Sequence, residues 1–540
     1  MTIARTAEIK GPRSFAVFSL ILCLAMLTAC ATVGPDFKKP EPMIEDDWIE
    51  KKSPKIKTES GDYSSWWEVF QDPVLDRLIE MANDQNLTLR VAGLRILEAR
   101  ARLGIAIGYQ YPQAQMVNGS YTLLKISENS SPVSNMPGDV RDRMDTRSNN
   151  YRMGFDAAWE LDFWGKFRRT VEAANADLAA KIAGYDNLLV ILAGEVASAY
   201  IDIRTLEQRL TYAKSNIELQ KKSLSIATAR FEEGAISELD VQQAKALLNH
   251  TLSSIPAFEI SIRQAKNALS VLLGIPPNQL IGILGGPSAI PTPPVEVAVG
   301  IPADLIRRRP DIQLAEFQAA SQGAMIGVAK ADLYPHIAIG GSIGFAAGGG
   351  GSLFTSASTF GVLSPVSFSW DIFNYGRIKN NVRVQDARFE QLLASYQNKV
   401  LEAAKEVEDG LVGFIRSQEQ AKYLGDAVDA SNRASDLALI QYEEGLVDYY
   451  SVLTTQQALV LQQDSLAASQ GDIDRYLIAV YKAMGGGWQI RLGKEMIPEQ
   501  TLKAMRDRTD WGEILDPTLP DEQQDLPTGK EVKLFNGMKW

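Results

Sequence analysis

Two acid pairs, Glu232-Glu233 and Glu443-Glu444, are the residues whose type and spacing first invite a chemical role. Adjacent carboxylates can do general acid–base work when their environments hold them in different protonation states. Here each pair stands directly before a glycine, in RFEEG at Arg230–Gly234 and QYEEG at Gln441–Gly445. That is the pattern of a solvated face beside a turn, and no nucleophile–base pair accompanies it. The two histidines, His250 and His336, lie far apart and match no metal-ligand spacing. The four glycines Gly348–Gly351 would cradle a phosphate only ahead of Lys-Ser/Thr and a helix; Ser352-Leu353-Phe354 follows, so a hairpin loop is the reading. The residues point away from an enzyme, with no catalytic, cofactor or metal site.

What the acid pairs do show is repetition. WELDFWG at Trp159–Gly165 returns as WDIFNYG at Trp370–Gly376, and Gly234 returns as Gly445, all at one offset of 211 residues (370 less 159, 445 less 234). Such a period is far above the roughly 20–50 residues of solenoids and propellers. It predicts two homologous halves in one chain.

Each half needs the same elements. A helical segment ends at Tyr111-Pro112 and again at Tyr334-Pro335, because proline disfavours helix at its own position and at the one before. Strand patterns follow. Tyr151, Met153, Phe155, Ala157, Trp159 and Leu161 alternate with Arg152, Gly154, Asp156, Ala158 and Glu160. Ile337, Ile339, Ile343 and Phe345 do the same, as do Phe360, Val362, Val366, Phe368, Trp370 and Ile372, with Pro365 out of phase. A fourth strand near Gln113–Leu123 alternates poorly. Period two gives one apolar and one small or polar face, and runs of about ten residues suit tilted membrane-spanning strands as well as ordinary hairpins.

Next comes a heptad seam. Ile182, Tyr185, Leu189, Leu192, Val196, Ala199, Ile203, Leu206, Leu210, Ala213 and Ile217 step alternately by three and four. Nine of the eleven positions 211 residues later are also apolar, from Leu393 and Tyr396 to Leu424 and Val428. A 3.5-residue period marks supercoiled helices. No proline interrupts Lys166–Arg230, so one helix can run through about 65 residues, or ~97 Å. Gly234 and Gly445 then supply left-handed turns, and return helices follow at Ser237–Leu273 and Asp448–Met484.

The amino terminus is a different device. Arg5, Lys10 and Arg13 precede the apolar run Phe15–Ala25, which is too short to cross a bilayer as a stable helix; together they read as a signal peptide over 1–29. Leu27-Thr28-Ala29-Cys30 resembles the bacterial lipobox. The resemblance implies a lipidated Cys30 carrying S-diacylglycerol and an N-palmitoyl chain, several chains giving stable anchoring. Ala31 rather than Asp after the cysteine implies transfer to the outer membrane. Removing the first 29 residues takes the net charge from −11 to −13, which argues against nucleic acid as a partner. Cys23 would leave with the signal, so no disulfide is available.

The chain resembles the TolC-like outer membrane factors, and more closely the NodT-type lipoproteins that serve resistance-nodulation-division efflux pumps. The matching residues are Cys30 with Val33-Gly34-Pro35-Asp36-Phe37, Trp66-Trp67, and WELDFWGKFRR at Trp159–Arg169. RFEEGAISELDVQQA at Arg230–Ala244, RRRPDI at Arg307–Ile312, Trp370–Phe373 with Tyr375–Arg377, and Gly485–Trp488 complete the set. The resemblance implies a mixed α/β membrane protein. In it a homotrimer forms a 12-stranded outer-membrane β-barrel, continued by a periplasmic α-helical coiled-coil barrel. Four strands per chain cannot seal a wall, which agrees with pooling. Partners would be a periplasmic membrane-fusion adaptor, an inner-membrane efflux transporter and outer membrane lipid. The protein would be a passive exit duct for small molecules, extending from the outer membrane into the periplasm.

Carried over by position, Asp240 and Tyr442 would link neighbouring hairpins in the closed state, and Asp448, Tyr449, Tyr450 and Thr454 would line the aperture. Relatives place aspartates where this chain has Ser451 and Thr454. Packing between helices is an equal reading for Tyr449 and Tyr450, and helix capping is an alternative for Asp240. Arg230, Glu232, Glu233, Gly234, Glu443, Glu444 and Gly445 would meet the adaptor. The expected organisation is a lipid-anchored segment over 30–70 and a first repeat over 71–277, with strands at 112–162 and a hairpin at 166–273. A linker over 278–301 precedes a second repeat over 302–488, with strands at 336–372 and a hairpin at 377–484; a polar tail covers 489–540. Two rival readings are a duct for secreted polypeptides and a lipid-anchored structural coiled coil without a pore.

Overall fold

A computed structural model describes residues 32–515, apart from 42, 43, 46, 58, 60, 132 and 304–307. The signal peptide, Cys30, Arg307 and the last 25 residues therefore lie outside the described residues.

Three helices of the first half return in the second at equal length. A short β1 (Ile56–Lys57) comes first. Helices α1 (Pro73–Gln85) and α2 (Leu87–Gly108) lead to strands β2 (Ala114–Lys125) and β3 (Arg147–Glu160). Then come α3 (Lys166–Glu232), α4 (Glu238–Leu272), the short α5 (Pro277–Leu284) and β4 (Val297–Ala298). The second half runs α6 (Pro310–Ala331), β5 (His336–Ala347), β6 (Thr359–Ser369), α7 (Arg377–Glu443) and α8 (Tyr449–Ala483). Helices α3 and α7 have 67 residues each, α4 and α8 have 35, and α2 and α6 have 22. At 1.5 Å per residue the longest pair runs about 100 Å. Among the described residues no single helix is long and apolar enough to cross a membrane.

Local chemistry sets the ends of the long helices. Asp162 accepts from the backbone N–H groups of Phe167 and Arg168 (3.0 and 2.9 Å), satisfying donors that a helix start leaves free. At the far end Gly234 and Gly445 take φ of +74° and +76°, and Ala235 and Leu446 donate back to Arg230 and Gln441 (2.9 and 2.8 Å). This is the glycine-terminated helix end in which a left-handed residue satisfies the last carbonyls.

The strands β2, β3, β5 and β6 form one antiparallel sheet in that order, so both β2 and β6 are edges. Register sorts the faces. Val117, Phe155, Ile343 and Gly361 stand in one row, and Gly341 pairs with Leu363 in a neighbouring row of the same face. Met116, Asp156, Ser342 and Val362 stand in a row of the opposite face, which also carries Asn118, Ser120 and Arg152. The uniform alternation expected along β6 is corrected here. Ala338 pairs with Ser367 but Gly340 with Ser364, so β6 carries an extra residue at a bulge around Pro365. Proline lacks the ladder N–H and belongs at such breaks. The bulge puts Phe360 and Val362 on the polar face while Val366 and Phe368 stay on the apolar one. Trp370 and Ile372 lie past the strand end.

The main core gathers the separate sequence motifs. Trp66 stacks on Tyr481 (5.5 Å between centroids), and Gly487, at φ +100°, lies against the Trp66 indole. Arg309 donates to the Ala483 carbonyl (2.9 Å) while pairing with Asp311 and Glu406. The polar tail expected over 489–540 is packed in its first part, 489–515. Arg491 pairs with the buried Asp186, its second nitrogen at 2.9 Å. Helix α9 (Glu499–Arg508) buries Leu502 and Met505 against Leu97 of α2, together with Ile497 and Leu515. A handful of apolar residues spaced for one helix face was hidden by the polar average around them.

Candidate functional site: the hairpin tips and the ladder above them

The turns at 234–237 and 445–448 bring the ends of all four long helices together. Their apolar contact is a small cluster of Ala227, Val241, Ala244, Ala438, Leu439, Tyr442, Tyr449 and Val452. It lies far along the helices from the main core, so the tips are held by few groups.

Arg230 is the polar tie in this cluster. Its guanidinium donates to the Tyr442 carbonyl oxygen and lies over the Tyr442 ring, Cζ 4.8 Å from the centroid. Tyr442 in turn meets Tyr449 edge to face at 5.4 Å. Both tyrosines are 1% exposed. Burial pushes the Tyr449 phenol up to about 12 and raises Tyr442 as well, with the Asp240 carboxylate adding to both, so both rings are neutral at physiological pH. Asp240 is itself raised, first by burial and then by the charge of Asp448, with Arg230 opposing.

The expected positions divide. Tyr449 packs between the hairpins and does not face outward, whereas Tyr450 is 63% exposed. Asp448 caps α8, its carboxylate accepting from the Ser451 N–H (3.2 Å) and hydroxyl (3.0 Å). The Thr454 hydroxyl donates to the Tyr450 carbonyl of its own helix (3.0 Å). The Tyr442 hydroxyl is buried with no hydrogen-bond partner among the described residues, so Asp240 and Tyr442 make no direct link within one copy. Glu232, Glu233, Glu443 and Glu444 are exposed, with Glu443 3.7 Å from Lys222.

Above the tip runs a ladder of which the sequence had singled out only the last rung, Arg230. Every seventh residue of α3 from Asp202 to Arg230 bonds to the second hairpin. Arg475 donates to Asp202 (2.5 Å), Arg209 grips Asp464 through two bonds (2.7 and 2.9 Å), Asn216 donates to Gln463 (2.7 Å), and Gln456 donates to Ser223 (2.6 Å). Arg230 is the last rung. The heptad spacing of these polar residues was present in the sequence, beside the apolar seam, but their partners lie about 210–270 residues away and only folding reveals them. Beside the ladder a groove of about 720 Å³ opens between α4 and α8, lined by Tyr212, His250, Phe258 and Val460 among others.

At the opposite end, the first described residues lie where the chain leaves the sheet for α3. Val33 donates to the Trp164 carbonyl (3.0 Å), Thr32 packs on Gly165, and Asp36 pairs with Arg169 (2.7 Å). The amino-terminal segment is thus fixed at the junction of β3 and α3.

The arrangement is that of a long helical hairpin pair carrying a two-faced sheet at one end and a tied tip at the other. The family model described as outer membrane efflux protein matches residues 78–275 and 301–486. Nodulation protein T of Rhizobium leguminosarum bv. trifolii is 29% identical over 469 residues, covering 86% of this chain and 96% of that protein. The probable outer membrane lipoprotein SilC of Salmonella typhimurium is 27% identical over 479 residues, covering 87% of this chain and 98% of that protein. The solved structure of the outer-membrane channel OprN is 33% identical, with a TM-score of 0.79, covering 85% of this chain and 100% of that one. The chain belongs to the outer membrane efflux protein family. It resides in the outer membrane and works as an exit duct, leaving what passes through it chemically unchanged.

Proposed function

We propose that three copies of this protein form the outer-membrane part of a tripartite efflux system, receiving small molecules from an inner-membrane transporter through a periplasmic adaptor. The carrying observation is the sheet. It has an apolar face, a polar face and two unpaired edges, β2 and β6. An open edge in lipid leaves N–H and C=O groups without partners at several kcal/mol each, so the edges must close on other copies. Three copies supply twelve strands, within the range of bacterial barrels. The copy number comes from the resemblance to the TolC-like factors.

In this reading Val117, Phe155, Ile343 and Leu363 meet lipid, while Asn118, Arg152, Asp156 and Ser342 line water. The hairpins continue the duct into the periplasm as two repeats per chain. Cys30 carries the lipid chains; Thr32, two residues on, is fixed on Gly165 at the sheet–helix junction, which supports an anchor at the membrane level. The tips form the gate. Asp240, Tyr442, Asp448, Tyr450 and Thr454 belong to the aperture region, with Tyr449 as the packing beneath it. Arg230, Glu232, Glu233, Gly234, Glu443, Glu444 and Gly445 form the surface offered to the adaptor.

Single-channel recording of the purified protein in a planar bilayer, with native mass measurement of the same sample, tests the proposal. Discrete conductance steps from a multimer are expected. A monomer that conducts nothing in detergent or lipid overturns the duct and leaves the coiled-coil scaffold reading.

A further inference from the structure

On the apolar face of the sheet, β2 and β3 pair in rows that run outward from the helical end. Val117 faces Phe155, then Gly119 faces Met153, Tyr121 faces Tyr151, Leu123 faces Asn149, and Lys125 faces Arg147. The face changes character along these rows. Val117, Phe155 and Met153 are exposed apolar surface. Tyr121 and Tyr151 then set two rings side by side, 4.7 Å between centroids, and the Tyr121 hydroxyl donates to the Asn149 side-chain oxygen (3.2 Å). The last row is two exposed cations directly opposite each other.

Like charges opposite each other on neighbouring strands destabilise a sheet. Among the described residues, neither the Lys125 nor the Arg147 side chain has an ion-pair or hydrogen-bond partner. Asp145, two residues before Arg147, accepts from the Arg147 backbone N–H (2.9 Å) instead. The neighbouring hairpin brings no counter-charge either, since no charged residue stands between Ala347 and Thr359. Its Gly350 lies beside Tyr151, where an added Cβ would be 3.6 Å from the ring. Pairing continues past the two cations, Ile126 donating to the Thr146 carbonyl (2.8 Å), so both stand on ordered strand. Arg147 is 13 residues from Glu160 at the helical end of β3 (160 less 147). Such a run spans about 43 Å of strand, or ~33 Å of height at a tilt near 40°, against a hydrocarbon core of ~30 Å.

We propose that Lys125 and Arg147 bind the phosphate of an outer-leaflet lipid headgroup, whose acyl chains lie along Leu123, Tyr121 and Val117. This rests on the duct reading above, which sets the apolar face against lipid and the helical end toward the periplasm. With Thr32 fixed beside that end, the cation pair emerges one bilayer thickness away, at the outer headgroups. A guanidinium offers two phosphate oxygens a planar fork, and the ammonium adds a point charge. The anion cancels the repulsion that the chain itself leaves standing. A lipid fits better than a free ion because the cations crown exposed apolar surface, and one molecule with an anionic head and hydrocarbon tails covers both. The uncharged β5–β6 hairpin has no equivalent, so each copy carries one such site.

The test titrates the full-length protein in detergent with diphosphoryl lipid A, enzymatically dephosphorylated lipid A and inorganic phosphate, reading bound lipid by native mass spectrometry. The wild type is compared with the double variant Lys125→Gln, Arg147→Gln. The double variant should hold diphosphoryl lipid A about tenfold or more weakly. The two proteins should not differ towards the dephosphorylated lipid, and inorganic phosphate should not displace the phosphorylated one. Equal affinity of the two proteins for diphosphoryl lipid A overturns the site. So does an equal loss with the dephosphorylated lipid, which would make the contact one of acyl chains, and so does displacement by inorganic phosphate, which would make it an ion site. If the double variant fails to assemble, either single variant serves, and unchanged affinity in both overturns the proposal. Planar-bilayer conductance of the same samples separates the failures: conducting protein without the lipid preference loses only this site, whereas a nonconducting monomer overturns the duct as well.

Discussion

The guanidinium of Arg230 lies over the ring of Tyr442, 4.8 Å from its centroid, and also donates to the Tyr442 carbonyl. One side chain of the first hairpin therefore holds the backbone and the side chain of the second. The Tyr442 carbonyl also accepts from the Gly445 N–H (3.0 Å), so the tie reaches the turn itself. A cation–π contact with a charged hydrogen bond is worth roughly 2–3 kcal/mol. Arg230→Ala should leave the protein folded and raise resting conductance in planar bilayers. Unchanged conductance would remove Arg230 from the gate.

The ladder predicts charge-swap rescue. Arg209 and Asp464 are partly exposed, which limits the pair to about 1 kcal/mol. Arg209→Asp places two carboxylates together and should lower the melting temperature and increase leak. Adding Asp464→Arg should restore both. Failure of the double variant to recover would show that the rung is not read as a charge pair.

Asp474 is fully buried in α8, and both carboxylate oxygens lack hydrogen-bond partners among the described residues. Burial pushes it up to about 8, with only Arg475 opposing. The folded value exceeds the ordinary one, so the folded state holds the proton more tightly. Stability is fully present below the ordinary value near 3.8 and falls as pH rises towards 8. The loss is as much as ~6 kcal/mol. Asp474→Asn should flatten the melting temperature across this window and raise it most at the alkaline end. A wild-type profile that does not fall between about pH 4 and pH 8 would contradict this.

Lipidation is tested at Cys30. Cys30→Ser should abolish incorporation of labelled palmitate while the signal and the remaining chain stay intact. Persistent label would place the acyl chain elsewhere.

Whatever depends on neighbours along the chain was legible in the sequence. Heptad spacing and the absence of proline set the length of α3, and Gly234 and Gly445 set its end and that of α7, because helix continuation and left-handed turns are local matters. Alternation marked the two faces of β3 for the same reason. Whatever depends on residues distant in sequence waited for the fold. Asp464 could be assigned to Arg209, Tyr449 buried against Tyr442, and Leu502 packed near Leu97 only once the chain had folded back. The bulge at Pro365 belongs with these, since pairing with β5 fixes which residue is extra. Contacts of this kind are chosen by the packing of whole helices and strands, which no single stretch of residues encodes.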